Sequence, residues 1–186
     1  LWATRRLRRS RFLPVTMVNR VADEHRLGQP VTQRVLVYFP TALGTLYQLR
    51  PWYQPLRALD AVHPIVMVFR DSRTAERVRS ETDFDCLCVG TSAQLDDIVL
   101  RSDVALALYV NLDPLDFDCL RFASMTHVYI GHGDSDKEVF VSNQVKAFDK
   151  YFVAGPAAVD RLGNHLAYYD AAQRCEVIGQ PQLDGF

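Results

Sequence analysis

The sequence predicts an α/β protein built on one doubly wound parallel sheet of about seven strands. Three observations carry that prediction. Short apolar runs recur along the chain, each bounded by turn residues. Most are continuous in Val, Ile, Leu, Tyr and Phe rather than alternating with polar residues, which is the mark of strands buried on both faces. The segments between them carry helix-start residues and helical apolar spacing.

In chain order the strand candidates are "RVLVYF" (34–39), "IVMVF" (65–69), "DCLCVG" (85–90), "VALALYV" (104–110), "HVYIG" (127–131), "KYFVAG" (150–155) and "EVIG" (176–179). Ser72, ahead of "RTAERVRSE", and Ser92, ahead of "AQLDDIVLRS", are read as N-caps. Leu95, Ile98 and Val99 then fall on one side of the second helix. Pro156 opens "AAVDRLGNHL", where a first-turn proline is tolerated because the N–H it lacks has no helical partner. Strands alternating with helices give a Rossmann-like domain over residues 34–180. Residues 1–33 read as a preceding basic arm, helical or extended, and 181–186 as the start of a linker. A chain of 186 residues suits one compact domain.

With 48% hydrophobic and 23% charged residues the composition is that of an ordinary globular protein. The net charge of −1 gives no reason to expect a nucleic-acid partner, but its distribution is uneven. The first 34 residues hold eight arginines against Asp23 and Glu24, and Arg5, Arg6, Arg8, Arg9 and Arg11 fall within seven positions. Such a cluster fits a membrane-surface contact, a nucleic-acid patch or a solvated tail. The chain begins Leu1-Trp2 without an initiator methionine, so a piece of a longer protein is expected. An aromatic residue followed by arginines is also how the cytoplasmic end of a membrane helix reads. No apolar run approaches the roughly 18 residues needed to span a bilayer, and no signal peptide is visible. The expected place is the cytoplasmic face of a cell membrane, with the arginines against anionic lipid. Cys86 and Cys88 alternate within an apolar run, which suits buried residues on one strand face better than a zinc site. Neither metal nor cofactor is expected.

In open α/β sheets ligands sit at the carboxyl ends of strands, near the switch in strand order. Two segments fall at such ends. "PTALGT" (40–45) offers Thr41, Gly44 and Thr45; it is neither G-x-G-x-x-G nor a P-loop, so it supports no dinucleotide or ATP site. "YIGHGDSDK" (129–137) places His132 between Gly131 and Gly133. Glycines there either supply unusual backbone angles for a turn or let another group come close to the imidazole. On the second reading His132 is a general base, which suits an imidazole near neutral pH. Lys137 and the backbone after Gly133, including Ser135, would then face an anion, and Asp134 or Asp136 would orient the ring. No H-E-x-x-H and no G-x-S-x-G motif occurs, so metal hydrolysis and a serine hydrolase have no motif behind them.

"HGDSDK" (132–137), followed by "SNQVKAFDKYFVAGPAAVDRL" (142–162) and "VIGQPQLD" (177–184), resembles the CDP-glycerol glycerophosphotransferase family of teichoic-acid-type polymer synthesis. His132, Gly133 and Lys137 match that family's H-G-x-x-x-K frame. Asp149 and Tyr151 fall near its next strand, and Gly179, Pro181 and Asp184 match its last segment. Asp134 and Ser135 stand where the family has Thr-Pro, and Gln180 and Gln182 where it has Tyr and Arg. The resemblance covers mainly residues 127–186. It implies the amino-terminal, acceptor-side half of a GT-B fold that moves glycerol phosphate from CDP-glycerol to an acceptor hydroxyl on a polymer or lipid-linked acceptor. The histidine matching His132 is the implied general base, and the donor is implied to bind mostly in the second half. A different GT-B enzyme, such as a nucleotide-sugar 2-epimerase or sugar transferase, and a non-catalytic binding domain of a membrane protein are the alternatives.

Overall fold

Seven strands hydrogen-bond side by side in the order β3-β2-β1-β4-β5-β6-β7, and every neighbouring pair is parallel. They are β1 (Val35–Phe39), β2 (Ile65–Phe69), β3 (Asp85–Cys88), β4 (Leu106–Tyr109), β5 (Thr126–Tyr129), β6 (Lys150–Val153) and β7 (Cys175–Val177). The computed structural model describes residues 20–133 and 142–184. All seven sequence-predicted strands are present, with ends that agree to within two residues. The helices are α1 (Tyr53–Asp60), α2 (Ser72–Glu81), α3 (Ser92–Arg101), α4 (Phe117–Leu120), α5 (Pro156–His165) and α6 (Ala171–Arg174).

Strand alternation divides the buried side chains between two cores. Leu36, Tyr38, Val66, Val68, Leu87, Ala107, Tyr109 and Tyr129 face one layer, which contains Leu95, Ile98 and Val99 of α3 and Leu162 of α5. Val37, Phe39, Met67, Phe69, Cys86, Cys88 and Leu108 face the other, which contains Leu56 of α1 and Ala75 and Val78 of α2. Cys86 and Cys88 therefore share one buried face, as their spacing predicts. Because both faces are covered, the strands need no polar alternation, which is why they read as continuous apolar runs. The fold is Rossmann-like and doubly wound. α1 and α2 connect β1 to β2 to β3 across one face. α3 then carries the chain past β2 and β1 to β4, and the later helices pack on the opposite face. The switch in strand order lies between β1 and β4.

Two helix starts differ from the sequence reading by one residue. Asp71, not Ser72, caps α2: its carboxylate accepts from the Arg73 and Thr74 amides. Thr91, not Ser92, caps α3, in a capping box with Gln94. In both places two cap-competent residues stand in succession, and the first has the extended backbone a cap requires. Pro156 does open α5.

The described part of the amino-terminal arm, residues 20–33, forms no strand or α-helix; it holds one 3-10 turn at Glu24–Arg26 followed by a turn through Gly28. It runs along β3, an edge of the sheet. The Asp23 amide donates to the Cys88 carbonyl at 3.0 Å, the Cys88 amide donates to the Asp23 carboxylate at 2.7 Å, and Arg26 pairs with Asp85. Satisfying main-chain groups of an exposed strand removes a template for pairing with other chains. Arg5, Arg6, Arg8, Arg9 and Arg11 lie outside the described residues. Among the described residues no helix is long and apolar enough to cross a membrane.

Candidate functional site

The carboxyl ends of β4 and β5 bring His132 into a defined setting. The Ile130 amide donates to the Tyr109 carbonyl at 2.8 Å, extending the pairing of the two strands by one residue. The chain then leaves the sheet through Gly131, whose φ of +68° lies in the left-handed region. A Cβ at Gly131 would stand 3.3 Å from Cε1 of Tyr129, so both backbone angle and space call for glycine. His132 follows, half-buried, with its Nδ1 3.1 Å from the Val110 carbonyl oxygen. A carbonyl only accepts, so Nδ1 carries the proton, and in the neutral ring the lone pair is on Nε2. At Gly133, with φ +149°, a Cβ would meet no atom of the described residues within 4 Å.

The loop after β1 reaches the same edge. Asn111, just past the end of β4, is 5% exposed. Its Nδ2 donates to Thr41 Oγ1 at 3.3 Å and to Gln48 Oε1 at 3.1 Å. Thr41 then donates to Thr45 Oγ1 at 2.6 Å, and Thr45 to the Ala42 carbonyl at 2.8 Å. This directed chain uses the hydroxyl hydrogens of both threonines inside the loop, so their visible work is to tie it to β4. Gly44 is exposed on the loop's short helical turn, Leu43–Gln48. Asn111 adjoins Val110, so the β1 loop and His132 converge on consecutive residues of the β4 end. That is the switch point in strand order, where open α/β sheets commonly bind ligands.

Trp52, from the turn Arg50–Trp52 of the same loop, donates its indole N–H to the Gly131 carbonyl. Beside it a crevice runs along the ends of β5, β6 and β7, lined by Trp52, Tyr129, Gly131, Gly133, Tyr151 and Arg161 among others. The Tyr129 and Tyr151 rings stack at 4.4 Å between centroids and 26° between planes. The Tyr129 hydroxyl is buried and makes no hydrogen bond among the described residues. Burial pushes both phenols well above the usual tyrosine range, so they act as neutral hydroxyls. Asp134, Ser135 and Lys137 lie outside the described residues. The residues singled out from the sequence, His132, Gly131, Gly133, Thr41, Gly44 and Thr45, lie at the carboxyl edge of the sheet, and the structure adds Trp52, Asn111 and Tyr129 beside them. Asn111, a polar residue directly after a predicted strand, was the one signal available.

Other titratable groups divide by environment. His127 is 4% exposed and lies between the Tyr109 hydroxyl at 2.8 Å and the Phe122 carbonyl at 2.9 Å. Its Nε2 must donate to the carbonyl and its Nδ1 accept from the phenol, so it is a satisfied core residue. Burial pushes the Cys86, Cys88 and Cys119 thiols up to about 12, which removes them as nucleophiles at neutral pH. Asp116 is 1% exposed, and burial raises its carboxyl to about 8 even though one oxygen accepts from the Asp113 amide at 2.8 Å. Arg70, also 1% exposed, pairs with Asp118, which in turn accepts from Ser92 at 3.1 Å. Among the described residues no group of three or more His, Cys, Asp or Glu side chains is placed to hold a metal ion.

No model of a known protein family matches the chain, and no curated protein is significantly similar to it.

Proposed function

We propose that this chain is the acceptor-side domain of a membrane-associated transferase of the CDP-glycerol glycerophosphotransferase type, with His132 as its general base. The observation that carries this reading is the His132 Nδ1–H donated to the Val110 carbonyl at the sheet's carboxyl edge. A base of this kind needs a fixed tautomer, a ring held at the rim of a crevice, and neighbours that leave room for a substrate. The ring is half-buried beside the end of β4, and the glycines on either side of it line the crevice along β5, β6 and β7, with no atom of the described residues within 4 Å of a Cβ at Gly133. His127, by contrast, is enclosed by the core at 4% exposed.

In the proposed reaction His132 Nε2 takes the proton from an acceptor hydroxyl. That oxygen attacks the glycerol-bearing phosphorus of CDP-glycerol, the bond to the other phosphate breaks, and CMP leaves with its electron pair. Phosphoryl transfer of this type asks little covalent chemistry of the protein beyond positioning and charge stabilisation. Lys137 and Ser135 are proposed contacts to phosphate, and Asp134 a group that orients the imidazole. Arg5, Arg6, Arg8, Arg9 and Arg11 would hold the domain to anionic lipid, each contributing about 1 kcal/mol near such a surface.

The resemblance assigns the donor to a second domain, so the test uses the natural protein in which these 186 residues occur, in membranes with acceptor. CMP release from CDP-glycerol that depends on acceptor supports the reading. Acceptor-dependent turnover of a UDP-sugar instead selects another nucleotide-dependent transferase, and no turnover of either leaves a non-catalytic binding domain.

A further inference from the structure

We propose that Trp52 is a positioning residue for His132, acting through the carbonyl of Gly131. This rests on the reading of His132 as the base and adds a residue that reaches it from a distant part of the chain.

The geometry follows from the planarity of the peptide bond. The Gly131 carbonyl belongs to the rigid unit that joins Gly131 to His132, so the direction of that carbonyl also fixes the direction of the His132 N–H. Once this plane is set, the remaining freedom of the His132 backbone at its amino side is one dihedral angle. Gly131 is the residue least able to set the plane by itself. Glycine populates both signs of φ with similar ease, so nothing local selects +68°. The Trp52 indole supplies the missing restraint: its N–H donates to that carbonyl from within the buried interior, where Trp52 is 5% exposed. A buried carbonyl that gives up this partner has no water to replace it, which makes the alternative orientations of the plane unfavourable.

His132 is thereby held from two sides. On the backbone side Trp52 fixes the peptide plane. On the side-chain side the Val110 carbonyl fixes the ring and its tautomer, at 3.1 Å from Nδ1. Both anchors are buried. Val110 is fully buried at the end of β4. Trp52 sits at the start of α1 on a loop tied to β4 through Asn111, Thr41 and Gln48. Trp52 also lines the crevice along the ends of β5, β6 and β7, as do Gly131 and Gly133 on either side of His132. A sheet, a crossover loop and one indole together determine where the imidazole points.

Trp52→Phe keeps the aromatic packing and removes the N–H. With 15N-labelled histidine, the ring nitrogens of His132 report its tautomer once the ring is neutral at alkaline pH. In the wild-type chain a protonated Nδ1 is expected. In Trp52→Phe, with the amide spectrum of the sheet retained, the two ring-nitrogen signals are expected to move towards each other as the tautomers mix. In the natural protein the same variant is expected to lower kcat about tenfold with KM nearly unchanged, the pattern of a misplaced catalytic group rather than lost binding. An unchanged His132 ring in folded Trp52→Phe overturns the proposal. If the variant does not fold, the wild type decides alone. The Trp52 indole N–H, told apart from that of Trp2 by a Trp2→Phe variant, must resist hydrogen exchange, and rapid exchange overturns the proposal equally. Because the ring signals are read with no donor present, the two readings fail separately. A Trp52-sensitive ring in a protein without turnover removes the transferase reading. An insensitive ring in an active protein removes the role of Trp52.

Discussion

Replacing Gly131 with alanine tests whether the turn into His132 is as constrained as its geometry requires. The wild-type φ is +68°, a region that costs an L-residue about 1–2 kcal/mol. The new Cβ would also meet Cε1 of Tyr129 at 3.3 Å. That ring cannot give way easily, because it stacks on Tyr151 at 4.4 Å and packs against Phe148 at 5.4 Å between centroids. Overpacking of this kind adds about 1 kcal/mol, at the low end of its range. Alanine gains about 0.4–1 kcal/mol from its less mobile unfolded chain, which offsets part of the loss. The net expectation is about 2 kcal/mol, or a fall of about 4–8 °C in Tm for a chain of this size. Gly28→Ala is the matched control. Its φ is +82° and nothing lies within 4 Å of its Cβ, so it carries the backbone cost and the unfolded-state gain but no contact. Thermal or urea unfolding of both variants should show Gly131→Ala less stable than Gly28→Ala by about 1 kcal/mol. Equal stabilities would refute the close packing of Gly131 on Tyr129.

Three further outcomes follow from the buried groups and the helix caps. Asp116, with its carboxyl raised to about 8, holds a proton in the folded state that it loses in the unfolded chain above its ordinary value. Its contribution is therefore fully present at pH below about 4 and is lost as pH rises through about 8, at up to about 1.4 kcal/mol per pH unit. Asp116→Asn should match wild type at acid pH and be the more stable protein at pH 8; parallel pH–stability curves would contradict this. Asp118→Ala leaves the Arg70 guanidinium buried without its partner and should cost about 3–5 kcal/mol. Arg70→Met leaves Asp118, whose side chain is 29% exposed, able to hydrate, and should cost less in the same urea titration. Thr91→Ala should lose about 1 kcal/mol as the cap of α3, more than Ser92→Ala; the reverse order would restore Ser92 as the cap.

The legible part of this protein is the part encoded locally. Runs such as "IVMVF" and "RVLVYF" announce buried parallel strands because each residue faces one of two covered layers. Gly131-His132-Gly133 announces a special turn because glycines flank a titratable ring at a strand end. The three helix starts read from the sequence were legible to within one residue, while α1, α4 and α6 were not read; Asp71-Ser72 and Thr91-Ser92 show why a start shifts: chemistry allows either residue to cap, and the backbone decides. The illegible part is long-range. Trp52 reaches Gly131 across 79 positions and Asn111 reaches Thr41 across 70. Neither spacing leaves a pattern in the sequence. Thr41 and Thr45 were found at the right edge, but only the direction of their hydrogen bonds reveals that the hydroxyls serve the loop.

The role proposed for His132 is that of the base of a transferase. The most direct measurement is acceptor-dependent CMP release from CDP-glycerol by the natural protein in membranes, wild type beside His132→Ala, with unfolding of the domain followed in parallel. The expected result is a fall of about 10²–10⁴-fold in release with unchanged stability. Equal release by the two proteins would contradict the claim and remove His132 from the chemistry.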